Sequence, residues 1–373
     1  MTQSPARLVA GCMTGTSLDA LDAVLVRITG RGRELDARVL GHVACELGPL
    51  RDDLAQLASG ESAPAQAYLR AAHRLGELHA DAVAALCARH LPGGEALSFV
   101  AAHGQTICHL PGERLSWQLL NPWPIVRALG VPVVHDLRQA DLVAGGQGAP
   151  ITPIADPILY RDRAQQVFNL GGICNHTRFD GQAIAGGDVT VCNLLLDGLC
   201  QRLTGERFDR DGRLAGGGQR RDASVARIET SIDAAVGAAC TLGREQFNDA
   251  WLEALAQALG DADAGDVLAS AAEAIARRVV AAGGPGAIAL AGGGARNAAL
   301  VAAIRRLGGG ATRWRVSDEL GVAAEVREAA AMAVLGALCA DGVPITLGSI
   351  TGADRPGVAG TWALSPTVSS EGG

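Results

Sequence analysis

At 373 residues, with 48% hydrophobic and 19% charged residues, the chain is long enough for two globular domains and too apolar to be a disordered body. A formal charge of −7 with no basic run excludes a nucleic-acid surface, which needs a positive stripe to displace counterions. All 32 basic residues are arginine, so Schiff-base catalysis and lysine-dependent phosphate sites are excluded, and a phosphate must meet backbone N–H groups, arginine or a metal.

The 9 cysteines are odd in number, widely spaced and never form C-x-x-C, which reads as reduced thiols of a cytosolic protein. No apolar run approaches the length of a membrane span, so no membrane partner is expected.

Residues 7–13 read as a short apolar strand and 20–28 as a second, joined by a Gly/Thr/Ser turn into a β-hairpin. Residues 65–89 carry apolar positions at three- and four-residue spacing and predict a helix; 98–102 and 131–134 read as short buried strands. The hairpin signal returns at 166–170 and 173–179, around Gly171 and Gly172, and suggests an internal duplication. Helices are expected at 193–203, 244–259, 267–281 and 298–307, with a buried strand at 287–291. Such alternation implies α/β layers around largely buried sheets.

Four segments carry candidate chemistry. Gly11 to Asp22 offers turn amides and hydroxyls at Gly15, Thr16 and Ser17 that suit an anion nest, with Asp19 and Asp22 near enough for a hydrated Mg²⁺; a polar hairpin loop capped by Ser and Asp accounts for it equally. Asn169 to Asn175 places Gly171 and Gly172 where a backbone can approach a phosphate, or simply turn. Gly292, Gly293 and Gly294 follow a buried strand and precede a helix. Asn297 breaks the G-x-G-x-x-G dinucleotide pattern, and the glycines make a ledge for adenine or ribose.

Asp188, after Gly186 and Gly187, is a candidate general base at a strand end, or an Asp satisfied by its own turn. Asn193 and Asp197 share one helix face and brace that loop. The order of these segments matches an ATP cleft between two related lobes.

In that context the segments Met13-Thr-Gly-Thr-Ser-Leu-Asp19, His103-Gly-Gln-Thr106, Asp136-Leu-Arg-Gln-Ala-Asp141, Gly145-Gly-Gln-Gly-Ala-Pro150, Asn169-Leu-Gly-Gly172, Gly292-Gly-Gly-Ala-Arg-Asn297, Glu328-Ala-Ala-Ala-Met-Ala333 and Thr351-Gly-Ala353 resemble the anhydro-N-acetylmuramic acid kinases, in order along nearly the whole chain. The resemblance implies an α/β fold of two actin-like (ribonuclease H-like) lobes around a central ATP/substrate cleft. One lobe would span 1–163, completed by 346–373, and the other 164–345.

It also implies a cytoplasmic, homodimeric enzyme of peptidoglycan recycling that opens the 1,6-anhydro ring of an amino sugar with water and phosphorylates O6, using ATP and Mg²⁺. Asp188, Asn193 and Asp197 match the family's base and its supporting positions. On this reading ATP meets Gly15, Thr16, Ser17, Asp19, Asp22, Asn169, Gly171, Gly172, Gly292, Gly293, Gly294 and Asn297, with Asp19 facing the metal through water. The sugar meets His103, Gln105, Asp136, Arg138, Asp141, Asn175 and Glu328.

Arg138 pairs with the lactyl carboxylate, or with Asp136 or Asp141 as an ordinary ion pair. His103 orients a sugar hydroxyl or is a satisfied structural histidine, and Glu328 is favourable at a helix start whatever its role. Trp117 and Trp123 are expected in packing. The chain departs from the family pattern at residues 189–192, where β-branched residues predict a loop of different course, and at Cys240, Asn121 and Asp156; near Cys240 only Arg244 is at hand to replace a lost lysine. A kinase for another sugar or acid, or a catalytically silent nucleotide or sugar sensor, are the alternative readings.

Overall fold

A computed structural model describes residues 5–365 except 16, 17, 19, 182, 238–241, 243–245, 311 and 356. The chain divides into two compact units, Met1–Arg161 with Val326–Gly373, and Asp162–Glu325. Its strands are, in chain order, β1 (Arg7–Thr14), β2 (Ala20–Thr29), β3 (Asp36–Glu46), β4 (Phe99–His103), β5 (Gln105–Leu110), β6 (Leu115–Leu119), β7 (Val133–His135), β8 (Gln166–Leu170), β9 (Ile173–Asp180), β10 (Ala183–Val191), β11 (Gly286–Ala291), β12 (Thr312–Val316) and β13 (Thr361–Ala363).

The first unit holds the sheet β13-β7-β4-β1-β2-β3 and the second the sheet β10-β9-β8-β11-β12. In each unit the opening hairpin continues into a third antiparallel strand, and the first strand pairs in parallel with a later one. Both predicted hairpins therefore form, and the same strand order recurs in each unit.

The helix Ala65–His90 buries Ala71, Leu75, Val83 and Leu86 on the face its spacing predicted, each leucine or valine contributing roughly 1.5–3 kcal/mol. The helix Arg327–Ala340 is buried almost all round, as expected for a helix with no polar stripe. It crosses β1 at Gly11, where a Cβ would lie 2.0 Å from the Ala329 carbonyl oxygen. Gly11 is thus a packing residue inside the expected strand. The same contact places this helix in the first unit, whereas 326–345 was expected in the second lobe. An all-apolar helix announces burial but not against which sheet.

Arg327 opens that helix and is buried with Asp156, Nε donating to Oδ1 at 3.0 Å and Nη2 to Oδ1 at 2.7 Å. The unusual Asp at 156 therefore has a charge partner. In the second unit the helix expected from residue 244 begins at Asp249, because Asn248 caps it by accepting from the Trp251 N–H at 3.0 Å. Cys240 and Arg244 lie outside the described residues. A helix at Asp222–Val236 was not anticipated.

Candidate functional site

In the second unit the β-sheet registers bring several expected residues into one line. Asp188 pairs with Asn175 across β10 and β9, Asn175 with Asn169 across β9 and β8, and Asn169 with Ala291 across β8 and β11. Directly opposed residues in a sheet share a face. The row therefore gathers the expected base, an expected sugar contact and an expected nucleotide contact, and it ends beside Gly292.

Asp188 lies within β10 and not at a strand end. The register shifts between Asp188 and Thr190, so Val189 is the extra residue of a bulge. The segment 189–191 is strand, not the loop expected at 189–192, because β-branched residues favour an extended pleat. Val189 packs against the core of the unit while Asp188 stays exposed. Its Oδ2 accepts the Leu242 N–H at 2.8 Å.

The Gly171–Gly172 turn ties this row to the helix Asn193–Thr204. The Gly171 carbonyl accepts from the Asn193 N–H at 3.0 Å, and that of Gly172 from Cys192 at 2.9 Å and Leu194 at 3.2 Å. Asn193 Nδ2 donates to the Leu170 carbonyl at 3.1 Å. Asn193 thereby braces the turn from its first helical position. Asp197, one turn on, has its carboxyl pushed up to about 6 by desolvation, against the pull of Arg207.

The glycine ledge leans on the same turn. Gly292 has φ +79°, and a Cβ there would sit 2.5 Å from Asn169 Oδ1; one at Gly294 would lie 2.8 Å from the Leu170 side chain. At Gly293 the nearest atom is 3.5 Å away, an ordinary contact. Asn297 caps the helix Ala298–Gly308, its Oδ1 accepting from the Leu300 N–H at 3.0 Å.

In the first unit a second group assembles. Gly15 accepts the Leu18 N–H at 3.1 Å in the turn of the first hairpin, and Asp22 pairs with Met13 across it. Thr16, Ser17 and Asp19 lie outside the described residues. His103 ends β4 and is buried, its Nδ1 on the Gly104 carbonyl at 2.7 Å. Arg138 donates from Nε to His103 Nε2 at 3.0 Å and from Nη1 to the Gly148 carbonyl at 2.8 Å. These are not the partners the sequence offered.

Asp141 is buried, with Oδ2 accepting the Gly148 N–H at 2.7 Å and Oδ1 the Thr351 hydroxyl at 2.7 Å. Both oxygens are thus engaged by the loop and by Thr351, not by Arg138. Asp136 has φ +55°, a left-handed conformation that a residue other than glycine rarely adopts. Glu328 sits in the first turn of the helix Arg327–Ala340, and its charge sustains that of Arg138, whose pKa burial lowers.

Burial and the neighbouring Arg138 push His103 down to about 3. Gln105 is buried, and its Oε1, like the Thr14 hydroxyl at the end of β1, has no hydrogen-bond partner among the described residues. Leaving such an atom unpaired costs about 1–3 kcal/mol. Thr14 was passed over by sequence reasoning, although it stands inside the Thr/Gly motif. Trp117 and Trp123, expected in packing, are 47% and 58% exposed. Trp117 stacks on Tyr68 at 5.2 Å on the open face of the β5–β6 ribbon.

Among the described residues no group of three or more His, Cys, Asp or Glu is placed to hold a metal ion. No helix is long and apolar enough to cross a membrane among those residues.

The model of the anhydro-N-acetylmuramic acid kinase family matches residues 7–364. The anhydro-N-acetylmuramic acid kinase of Bordetella pertussis is 37% identical over 98% of this chain and 97% of its own length. That of Streptomyces coelicolor is 37% identical over 95% and 93%. Among solved structures, the activator of the 2-hydroxyisocaproyl-CoA dehydratase from Clostridium difficile, with bound ADPNP, aligns at a TM-score of 0.44 and 13% identity over 90% of this chain and 95% of that one. By the extent of the family match and the identity of these full-length relatives, this chain belongs to the anhydro-N-acetylmuramic acid kinase family.

Proposed function

We propose that this chain is an ATP-dependent kinase that hydrolyses the 1,6-anhydro ring of anhydro-N-acetylmuramic acid and phosphorylates O6, giving N-acetylmuramic acid 6-phosphate and ADP. The observation that carries the reading, beside family membership, is the cross-strand row of Asp188, Asn175 and Asn169 ending at the Gly292 ledge. It places a carboxylate, carboxamides and an open backbone edge on one face of one sheet.

In this chemistry Asp188 accepts a proton from water as the water oxygen bonds to the anomeric carbon. The bond from that carbon to O6 breaks, and O6 bonds to the γ-phosphorus as ADP leaves. Phosphoryl transfer takes the place of the general acid of an inverting glycosidase. The Leu242 N–H fixes Oδ2 of Asp188 and so sets the direction from which the base meets the water.

The Asn169 to Gly172 turn and the Gly292 to Gly294 ledge suit the nucleotide, since Gly293 leaves a flat backbone surface. The hairpin turn at Gly15 would take phosphate through backbone amides, there being no lysine in the chain. Magnesium, expected at Asp19 through water, would be carried largely by the triphosphate and water, with Asp22 as a further carboxylate of the first hairpin. When bound it neutralises charge developing on the phosphate oxygens. The buried oxygen of Gln105 and the Thr14 hydroxyl are suited to sugar hydroxyl and amide groups.

The enzyme acts in the cytoplasm on peptidoglycan fragments, as a homodimer. Leu69, Trp117 and Trp123, exposed in the first unit and lining one pocket, offer an apolar surface that self-association would cover. A coupled assay of ADP release with a panel of acceptors tests the reading. Release is expected with the anhydro sugar, and release with other sugars but not with this one would refute it.

A further inference from the structure

The expected role of His103 is contact with the sugar, but its ring has another occupation. A carbonyl only accepts, so the 2.7 Å contact to Gly104 puts the ring proton on Nδ1. Nε2 then carries a lone pair, and it receives the Arg138 Nε–H at 3.0 Å. The opposite side of the guanidinium is held by the Gly148 carbonyl, and the Gly148 amide is itself fixed by Asp141, which Thr351 anchors in turn.

Four separate sequence motifs therefore meet in one chain of hydrogen bonds: Thr351 to Asp141, Asp141 to Gly148, Gly148 to Arg138, Arg138 to His103. The backbone beneath it is closely packed, since a Cβ at Gly104 would lie 2.5 Å from the Leu119 carbonyl oxygen.

We propose that His103 is a positioning residue and not a sugar ligand. As a neutral acceptor it takes the Nε–H of Arg138 and turns the Nη edge of the guanidinium toward the carboxylate of the substrate. This deepens the proposed function and rests on it. Neutrality of the ring is essential, because a proton on Nε2 would oppose the Arg138 N–H. Burial keeps the ring neutral throughout the physiological range.

Two conservative substitutions separate this role from simple structure. A Gln amide oxygen reaches the position of Nε2, whereas an Asn amide reaches only that of Nδ1. His103→Gln is therefore expected to keep the KM for the anhydro sugar within about threefold of the parent, while His103→Asn raises it about tenfold or more with kcat little changed, the range set by a hydrogen bond to a charged group. In an Arg138→Leu background His103→Asn is expected to add nothing further. Thr351→Val, at the far end of the chain of bonds, is expected to raise KM in the same sense, and it supplies the reading should the Asn variant fail to fold.

Equal KM values for the Gln and Asn variants, an Asn effect that persists without Arg138, or a Thr351→Val enzyme with unchanged KM would each overturn the proposal. A parent enzyme that neither binds nor converts the anhydro sugar would instead refute the proposed function, on which the inference stands.

Discussion

Asp188 stands directly opposite Asn175 across the antiparallel pair of β10 and β9, one residue before a bulge in β10. The bulge reconciles two demands. Val189 turns into the core while Asp188 keeps its register opposite Asn175.

Asp188→Asn is expected to reduce turnover by at least about 100-fold, the lower end of a general-base effect. ATP affinity, followed by calorimetry, should be nearly unchanged, because the substitution preserves the shape of the side chain and an acceptor for the Leu242 N–H. Near-normal turnover would remove Asp188 from the mechanism.

Gly292→Ala is expected to lower stability by about 1–3 kcal/mol, since its φ of +79° disfavours a side chain and the new Cβ would press on Asn169 Oδ1. Displacing Asn169 should weaken ATP binding as well. A thermal melt and an ATP titration of the same sample check both effects.

Asp141→Ala removes both oxygens, which the Gly148 N–H and the Thr351 hydroxyl use. A loss of about 1–3 kcal/mol in denaturant unfolding is expected. The KM for the sugar should rise too, because Gly148 holds Arg138.

His79 is buried within the helix Ala65–His90, its Nδ1 on the Leu75 carbonyl at 2.7 Å. Burial holds it down to about 4, below its ordinary 6.5. The unfolded chain therefore binds this proton more readily between those values, and stability, full above pH 6.5, is lost as pH falls toward about 4. The loss is on the order of 3 kcal/mol from this residue, and His103 adds a loss of the same sign. His79→Leu should flatten the decline between pH 6.5 and about pH 4 in urea unfolding; an unchanged slope would show that His79 does not drive it.

Both hairpins and most of the longer helices were legible in the sequence, since local periodicity and glycine turns determine them. The row from Asp188 to Asn169 was not, because register depends on which strands pair, and spacing along the chain does not reveal that. Nor does spacing reveal that Gly11, within the expected strand, makes room for the helix Arg327–Ala340. Arg138 and Asp141 were singled out together, but their partners lie in segments as distant as His103 and Thr351.

The central claim is that a single site joins ring opening to phosphoryl transfer. Incubation with ATP, Mg²⁺ and anhydro-N-acetylmuramic acid, followed by mass analysis of the sugar, tests it most directly. The account predicts a product that has gained one water and one phosphoryl group together. A phosphorylated sugar with its anhydro ring intact, or an opened sugar bearing no phosphate, would contradict it.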